Sequence, residues 1–231
     1  MNKEAGKRAA ARAAMDYVSP EQTIGIGTGS TAKYFIEALG EKIQSGWSLR
    51  AIPTSMETDT LARAVGIEII TPDETTIIDL AVDGTDEADP RGNLIKGGGA
   101  ALLREKIVAK AAKKFVVIAD KSKRVSTLGA FPLPVEIEPF GWALTITALR
   151  QTLQDQGFSS PNVNLRQDKG GAAKSDGGHL IADCALGKID DPAALDDALK
   201  RIPGVIETGL FCTMADVMIF GDEDGVTIDT P

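Results

Sequence analysis

The chain has 231 residues, of which 43% are hydrophobic and 25% charged, and its formal net charge at pH 7 is -8. This composition is typical of a globular protein with a sizeable core, and the acidic balance argues against a nucleic-acid surface, which needs a basic stripe. Because no apolar run approaches the ~18 residues of a membrane span and the charged N-terminus is unlike a secretory signal, we expect a cytoplasmic protein with neither a nucleic-acid nor a membrane partner.

The first half of the chain alternates strand and helix patterns. Periodicity predicts helices over residues 4–17, 30–44, 56–65 and 100–113, and strands over 23–26, 49–52, 67–70, 77–82 and 115–119. This alternation predicts an α/β fold: a Rossmann-like, mostly parallel sheet with helices on both faces. Ligands of such sheets bind beyond the carboxyl ends of the strands.

The composition changes at residues 131–134 (FPLP), where prolines disfavour further central-sheet structure. A smaller α+β (ferredoxin-like) subdomain is predicted beyond this point, from strands over 135–137 and 179–184, helices over 142–154 and 192–201, and a glycine-rich hairpin over 170–178. Apolar strands over 208–212 and 215–220 then return to the first sheet. We therefore expect a catalytic domain over 1–130 and 207–231 and a small subdomain over 131–206.

Histidine and cysteine are scarce. Cys184 and Cys212 lack the CxxC or CxxH spacing of a metal site, so we expect thiols buried in a reducing compartment. His179 is the only histidine, which excludes a His-rich metal site. Its place after two glycines predicts a hairpin strand more than a catalytic role. No metal ion is expected.

A glycine-rich turn, residues 25–31 (GIGTGST), joins the first strand to the second helix. Its backbone amides and hydroxyl groups can bind phosphate oxygens. A dinucleotide site is the obvious rival, but Ser30 stands at the third glycine position and no acid ends the next strand. A Walker A loop is excluded because no Gly-Lys-Ser/Thr follows. The turn alone therefore indicates either a phosphate site or a structural turn.

Acidic residues end the strand over 77–82. The segment 83–87 (DGTDE) places Asp83 and Asp86 around a glycine, where carboxylates can bind sugar hydroxyls or transfer protons. The same turn can chelate Mg²⁺ or cap the next element. A later strand ends at 119–123 (ADKSK), whose lysines can contact a phosphate.

Residues 96–105 (KGGGAALLRE) bring a cation, three glycines and an acid together between a strand and a helix. A fold tolerates consecutive glycines where backbone approaches a ligand, and the amides of the helix N-terminus would face an anion. If the helix begins near Gly99, Glu105 shares a stripe with Ala101 and Ala109. That phase favours a functional carboxylate, an ordinary surface glutamate being the alternative.

Taken together, these segments resemble the type A ribose-5-phosphate isomerase family over nearly the whole chain, through IGIGTGST, DGTDE, IKGGGAALLREKIVA, ADKSK, FPLPVE and IPGVIETGLF. The resemblance implies a homodimer or homotetramer that interconverts D-ribose 5-phosphate and D-ribulose 5-phosphate without a cofactor, in the non-oxidative pentose phosphate pathway. The chain departs from the family pattern at Thr85, often alanine there, and over 167–178.

The resemblance also implies roles for single residues. Glu105 would be the proton acceptor, ionised at neutral pH, and Lys96 would offset the charge of an enediolate. Asp83 and Asp86 would hold hydroxyl groups, and one of them would help ring opening or proton exchange between O1 and O2. The substrate-binding residues would be Thr28, Gly29, Ser30, Thr31, Asp83, Gly84, Thr85, Asp86, Lys96, Gly97, Gly98, Gly99 and Lys123.

Two other classes of protein share this fold. A non-catalytic sugar-phosphate sensor is one, but it would need a DNA-binding module, and the chain shows no basic helix-turn-helix extension. An acyl-CoA transferase or amino-sugar-phosphate deaminase is the other, since fold alone does not determine function. The segment 96–105 and the near absence of histidine argue against the deaminase.

Overall fold

The computed structural model describes residues 2–231. The helices are α1 (Lys3–Ala14), α2 (Ser30–Gln44), α3 (Met56–Ala64), α4 (Leu102–Ala111), α5 (Trp142–Asp155) and α6 (Pro192–Lys200), with short 3₁₀ turns at Met15–Tyr17 and Lys121–Lys123. The strands are β1 (Thr23–Ile26), β2 (Arg50–Pro53), β3 (Glu68–Ile69), β4 (Leu80–Asp83), β5 (Glu87–Ala88), β6 (Leu94–Ile95), β7 (Phe115–Asp120), β8 (Leu133–Ile137), β9 (Asn162–Leu165), β10 (Gln167–Asp168), β11 (Gly171–Ala172), β12 (Leu180–Ala185), β13 (Val205–Thr208), β14 (Leu210–Phe211), β15 (Val217–Gly221) and β16 (Val226–Asp229). Within residues 2–231, each helix is too short or too polar to cross a membrane.

The main sheet has seven strands in the order β16-β15-β7-β4-β1-β2-β3, and all of its pairs are parallel except β15–β16. One face is covered by α1, α2 and α3. The other is covered by α4 and by a small antiparallel sheet of order β14-β6-β5. The chain adds β2 and β3 on one side of β1 and then β4 on the other, so the strand order reverses between β1 and β4. The predicted α/β fold is confirmed.

The second core belongs to a four-stranded antiparallel sheet of order β13-β8-β12-β9, on which α5 and α6 pack. Along the chain these elements run β8-α5-β9-β12-α6-β13, the βαββαβ order of ferredoxin-like folds. The hairpin β10-β11 is inserted between β9 and β12. The small subdomain therefore has the predicted architecture.

Proline does not exclude central-sheet structure here, contrary to the sequence prediction. Pro134 lies in β8, an inner strand of the four-stranded sheet. Its carbonyl accepts a hydrogen bond from the Gly209 amide at 2.7 Å. In an antiparallel ladder the N–H and C=O of one residue face the same neighbouring strand. The position where Pro134 lacks an N–H therefore faces the chain beyond Thr208, which is the last paired residue of β13.

The single strand predicted over 208–212 is wrong, since the chain changes sheets at Gly209. Strand β13 joins the four-stranded sheet and β14 pairs with β6. Only glycine fits between them, because a Cβ on Gly209 would lie 2.3 Å from the Lys96 carbonyl oxygen. Gly209 within the run 208–212 is the only local sign of this break, and the predicted boundary at 206/207 falls inside β13. We propose that the subdomain boundary lies after Thr208. Sequence patterns also missed β5, β6, β9 and β16.

Helix α1 packs closely on the sheet where Gly6 meets Gly221. A Cβ on Gly6 would lie 2.4 Å from the Gly221 carbonyl oxygen, and a Cβ on Gly221 would lie 2.0 Å from the Gly6 carbonyl oxygen. Beside this crossing, Ala10, Ala11 and Ala14 are fully buried against the sheet. The close approach brings the start of α1 next to the carboxyl end of β7.

We expect Gly221→Ala to lower the free energy of unfolding by ~1–3 kcal/mol, because the added methyl group overlaps backbone that cannot move independently. Gly170→Ala is the control, since its Cβ would meet Asp168 Oδ1 at an ordinary 3.5 Å. Urea unfolding of both variants measures the effect. Equal stability of Gly221→Ala and wild type would contradict this packing.

Candidate active site

A cavity of about 260 Å³ opens beyond the carboxyl ends of β1, β4 and β7. It lies where the strand order reverses, the expected ligand position in an open α/β sheet. Thirteen of the predicted site residues come together in its wall: Thr28, Gly29, Ser30, Thr31, Gly84, Thr85, Asp86, Lys96, Gly97, Gly98, Gly99, Glu105 and Lys123. Lys3, Lys7 and Asp120 line it as well. Asp83 does not line the cavity and lies behind Lys96 and Gly84.

The ammonium group of Lys96 lies at the base of the cavity between two acids. Its Nζ is 3.0 Å from Asp83 Oδ2 and 3.3 Å from Glu105 Oε2, and it donates a hydrogen bond to the Gly84 carbonyl at 2.6 Å. The side chain is 2% exposed. Burial by itself lowers the pKa of Lys96, but the charges of Asp83 and Glu105 outweigh it and leave the pKa raised. Lys96 is therefore a fixed buried cation.

The position of Glu105 on α4 turns its side chain toward the cavity. The helix begins at Leu102 and not near Gly99, yet Ala101, Glu105 and Ala109 are all buried. Burial raises the pKa of Glu105 to about 8, and the negative charge of Asp83 adds to the effect. Burial therefore works against the ionised form that is expected for Glu105 at neutral pH. A pKa near the working pH suits a group that both takes and returns a proton.

Asp83 is held from three sides. Its Oδ1 accepts hydrogen bonds from the Thr28 amide at 3.2 Å and the Gly84 amide at 2.6 Å, and its Oδ2 faces Lys96. Burial raises the pKa of Asp83, partly offset by the Lys96 charge. A Cβ on Gly27 would lie 1.8 Å from Asp83 Oδ1. The glycine-rich turn therefore makes room for this carboxylate.

The sequence suggested that the glycine loop presents a helix N-terminus to the cavity. The structure differs from that expectation. Gly97 has a φ of +103° and Ala100 a φ of +59°, so the chain turns twice before α4 begins. The Gly98 amide donates to Asp86 Oδ2 at 2.8 Å, and a Cβ on Gly98 would lie 2.7 Å from Asp86 Oδ1. The loop is thus fixed against a carboxylate of the acidic segment.

Hydroxyl groups and the start of α2 form another part of the wall. Thr28 Oγ1 lies 2.8 Å from Thr54 Oγ1, so this hydroxyl is held by a neighbouring strand end. Gly29 precedes α2 with a φ of +110° and supplies no side chain to the amides of the first turn. Those amides, with Ser30 and Thr31, suit an anionic group.

Three lysines give the cavity a second region of positive charge: Lys3, Lys7 and Lys123. The sequence assigned no role to Lys7 and did not point to Lys3 or Asp120 as site residues. The only signal was the spacing of Lys3 and Lys7 on one helix, and that spacing does not show where the helix packs. Lys121, also undecided, instead pairs with Asp222 at 2.7 Å and is not part of the lining.

The histidine and the cysteines lie outside the cavity wall. His179 Nδ1 is 2.8 Å from Glu136 Oε1 in the small subdomain. Burial raises the pKa of the Cys184 thiol to about 12 and that of Cys212 to about 11, so both are protonated. Within residues 2–231 no group of three or more His, Cys, Asp or Glu side chains is placed to hold a metal ion.

Comparison with known proteins gives one consistent family. The model of "Ribose 5-phosphate isomerase A (phosphoriboisomerase A)" matches residues 50–225. The ribose-5-phosphate isomerase A of Maricaulis maris (strain MCS10) is 48% identical over 221 residues, which cover 95% of this chain and 94% of that one. The corresponding protein of Rhodopseudomonas palustris (strain HaA2) is 50% identical over 227 residues, covering 98% and 97%.

Solved structures agree with the sequence relatives. A D-ribose-5-phosphate isomerase in complex with phospho-erythronic acid has a TM-score of 0.93 and 40% identity, with 100% of each chain covered. Ribose 5-phosphate isomerase A from Methanocaldococcus jannaschii has a TM-score of 0.89 and 37% identity, covering 97% of this chain and 98% of that one.

We expect Glu105→Gln to be more stable than wild type at high pH. A carboxyl group whose pKa rises on folding from 4.5 to about 8 lowers stability progressively as pH rises through that window, by about 1.4 kcal/mol per pKa unit. The amide has no proton to lose, so the advantage of the variant should be small at about pH 5 and reach a few kcal/mol at about pH 9.

Urea unfolding of wild type, Glu105→Gln and the control Glu37→Gln at both pH values measures this difference. Glu37 is exposed on α2, so the same chemical change there should leave the pH dependence of stability unaltered. An advantage of Glu105→Gln that does not grow with pH would contradict the raised pKa.

Proposed function

This chain belongs to the ribose 5-phosphate isomerase A family, and from that premise we propose that Glu105 is the base of its reaction and Lys96 the cation that stabilises the intermediate. The reaction is the aldose–ketose isomerisation of D-ribose 5-phosphate and D-ribulose 5-phosphate. The observation that carries the assignment of roles is the buried Lys96 ammonium 3.3 Å from the Glu105 carboxylate at the base of the cavity.

Isomerisation requires a proton to move between adjacent carbons of the sugar. Glu105 takes the proton from C2 of the open-chain aldose, which leaves an enediolate, and returns it to C1 to give the ketose. Negative charge develops on the enediolate oxygen between these steps. The Lys96 ammonium is fixed before the reaction begins, so no reorganisation energy is needed to stabilise that charge.

The two aspartates have different positions and, we propose, different roles. Asp86 lines the cavity and can carry the proton that leaves O2 and arrives at O1 when the carbonyl group changes place. Asp83 lies behind Lys96 and Gly84, where it holds the ammonium group in position. Its predicted contact with substrate hydroxyls stays a prediction.

The phosphate group of the substrate fits the other region of the wall. Lys7 and Lys123 supply positive charge there, and the first turn of α2 offers free amides beside Ser30 and Thr31. The side chain of Thr85 is less available to bind substrate, because its hydroxyl donates to the Glu87 carbonyl at 2.6 Å. We propose that C1 and C2 lie over Lys96 and that the phosphate lies between α1 and α2.

Localisation and assembly also remain proposals. Two protonated thiols without a disulfide are compatible with a cytoplasmic protein. A homodimer or homotetramer is supported by large apolar side chains on the small subdomain, Phe140 and Leu144, which are 88% and 79% exposed. Contact with a second copy would remove this surface from water.

We expect wild type to convert ribose 5-phosphate to ribulose 5-phosphate and Glu105→Gln to lose kcat by roughly 10²- to 10⁴-fold, the usual contribution of a general base. The variant should still bind phospho-erythronic acid, because the amide keeps the shape of the side chain. Addition of EDTA should leave the wild-type rate unchanged, since Lys96 supplies the positive charge.

Ketose formation followed by NMR, with calorimetry for binding, measures these outcomes. Near-normal isomerisation by Glu105→Gln would refute the assignment of the base. A wild-type protein that binds the ligand and forms no ketose would instead indicate a sugar-phosphate sensor.

We expect Lys96→Met to lower kcat by roughly 10²- to 10³-fold, because loss of a preorganised donor typically costs ~2.7–4 kcal/mol of transition-state stabilisation. The Lys96 charge also lowers the pKa of Glu105, so its removal should move the rising part of the pH–rate profile to higher pH. Lys121→Met, at a lysine outside the cavity, is the control. A change in KM alone would show that Lys96 only binds substrate.

A further inference from the structure

A guanidinium group of the small subdomain contacts the glycine loop of the catalytic domain. Arg166 follows β9 directly, and its Nη1 donates to the Gly97 carbonyl at 2.8 Å and the Gly98 carbonyl at 3.1 Å. The contact spans the two subdomains and reaches the segment next to Lys96. Neither the predicted elements nor the motifs of the sequence pointed to this residue.

Arg166 is itself held in place by an ion pair. Its Nε donates to Asp183 Oδ2 at 2.8 Å and its Nη2 to Asp183 Oδ1, a two-point contact between planar groups. Asp183 lies on β12, an inner strand of the four-stranded sheet. The two side chains are 16% and 27% exposed. With the Nε–Nη2 edge of the guanidinium engaged, Nη1 has a defined direction toward the loop.

This direction fixes how the glycine peptides are turned. The peptide bonds of residues 2–231 include no cis bond, so each C=O and the N–H of the next residue point in opposite directions. The Gly97 carbonyl faces Arg166, and the Gly98 amide accordingly points the other way, to Asp86 Oδ2 at 2.8 Å. By the same geometry the Gly99 N–H points away from Arg166, because the Gly98 carbonyl of the same peptide accepts from Arg166.

Glycines alone do not hold such an arrangement. They have no side chains to pack, and they populate positive and negative φ with similar ease, so rotation of either peptide costs little. Donors stabilise developing charge well only if they are oriented before the reaction. The Ala100 amide donates to the Gly97 carbonyl at 3.0 Å and Asp86 holds the Gly98 amide. Arg166 adds a contact from the small subdomain and is the group that binds the Gly98 carbonyl.

We propose that Arg166 is a positioning residue for the isomerisation: through the Gly97 and Gly98 carbonyls it keeps the Gly98 N–H on Asp86 and turns the Gly99 N–H toward the cavity beside Lys96. Arg166 does not touch the reacting atoms. The inference rests on the proposed function and adds to it that the small subdomain takes part in catalysis.

The test compares Arg166→Lys and Arg166→Ala with a matched control, Arg150→Lys. Arg150 belongs to the same subdomain and its Nη2 donates to the Val163 carbonyl at 2.8 Å, away from the loop. Lysine keeps the charge but lacks the planar fork. We expect both Arg166 variants to lose kcat by roughly 10- to 100-fold, the scale of a misplaced catalytic group, with a much smaller change in KM. Arg150→Lys should keep the wild-type kcat.

Two further measurements separate positioning from a general loss of structure. Millimolar guanidinium ions should restore part of the kcat of Arg166→Ala, because a free guanidinium can occupy the vacated place, and should not restore Glu105→Gln. Asp183→Asn should lower kcat less than Arg166→Lys, and the double variant should be no worse than Arg166→Lys alone, since both act through one contact.

Wild-type kcat in Arg166→Lys and Arg166→Ala would overturn the inference. So would a loss of activity that follows thermal stability, appears mainly in KM and is not rescued by guanidinium. Wild type is measured in the same assay, which keeps the two hypotheses apart. An inactive wild type would refute the proposed function, whereas an active wild type with fully active Arg166 variants would refute only the positioning role.

Discussion

The structure of the site depends on one buried cation. The Lys96 ammonium is removed from water, and such a charge persists inside a protein only with opposite charges and acceptors around it. Asp83 and the Gly84 carbonyl provide them from one segment and Glu105 from another. The same burial that makes this arrangement costly also strengthens its electrostatic effect on a bound substrate and raises the pKa of Glu105 toward the working pH.

The glycines of residues 25–29 show how local backbone supports this arrangement. A Cβ on Gly25 would lie 2.2 Å from Val108 of α4, so this glycine lets the helix that carries Glu105 approach the sheet. Gly27 makes room for Asp83, and Gly29 takes the positive φ from which α2 begins. The pattern that resembles a dinucleotide-binding turn is therefore explained by packing around two carboxylates and by the start of a helix.

The small subdomain contacts segments of the catalytic domain that lie next to the site. Besides Arg166, which contacts the glycine loop, the subdomain carries Asp176 between β11 and β12. Its Oδ2 accepts from the Met56 amide at 2.7 Å and from Arg104 Nη1 at 3.2 Å. These contacts join the subdomain to the start of α3 and to α4. Two separate cores are thus connected by charged and backbone groups, one of which, Arg166, holds peptide groups of the glycine loop in the cavity wall.

Periodicity and turn chemistry are local properties. They were enough to predict the alternation of strands and helices, the segments at the carboxyl ends of the strands, and the helical phase that turns Glu105 inward. The remaining features follow from the way the chain folds back on itself. The tertiary structure placed Asp83 behind Lys96, brought Lys3 and Lys7 to the cavity on α1, divided 205–211 between two sheets at Gly209, and directed Arg166 to the glycine loop. Each of these depends on burial or on contacts between distant parts of the chain, which also set the pKa of Glu105.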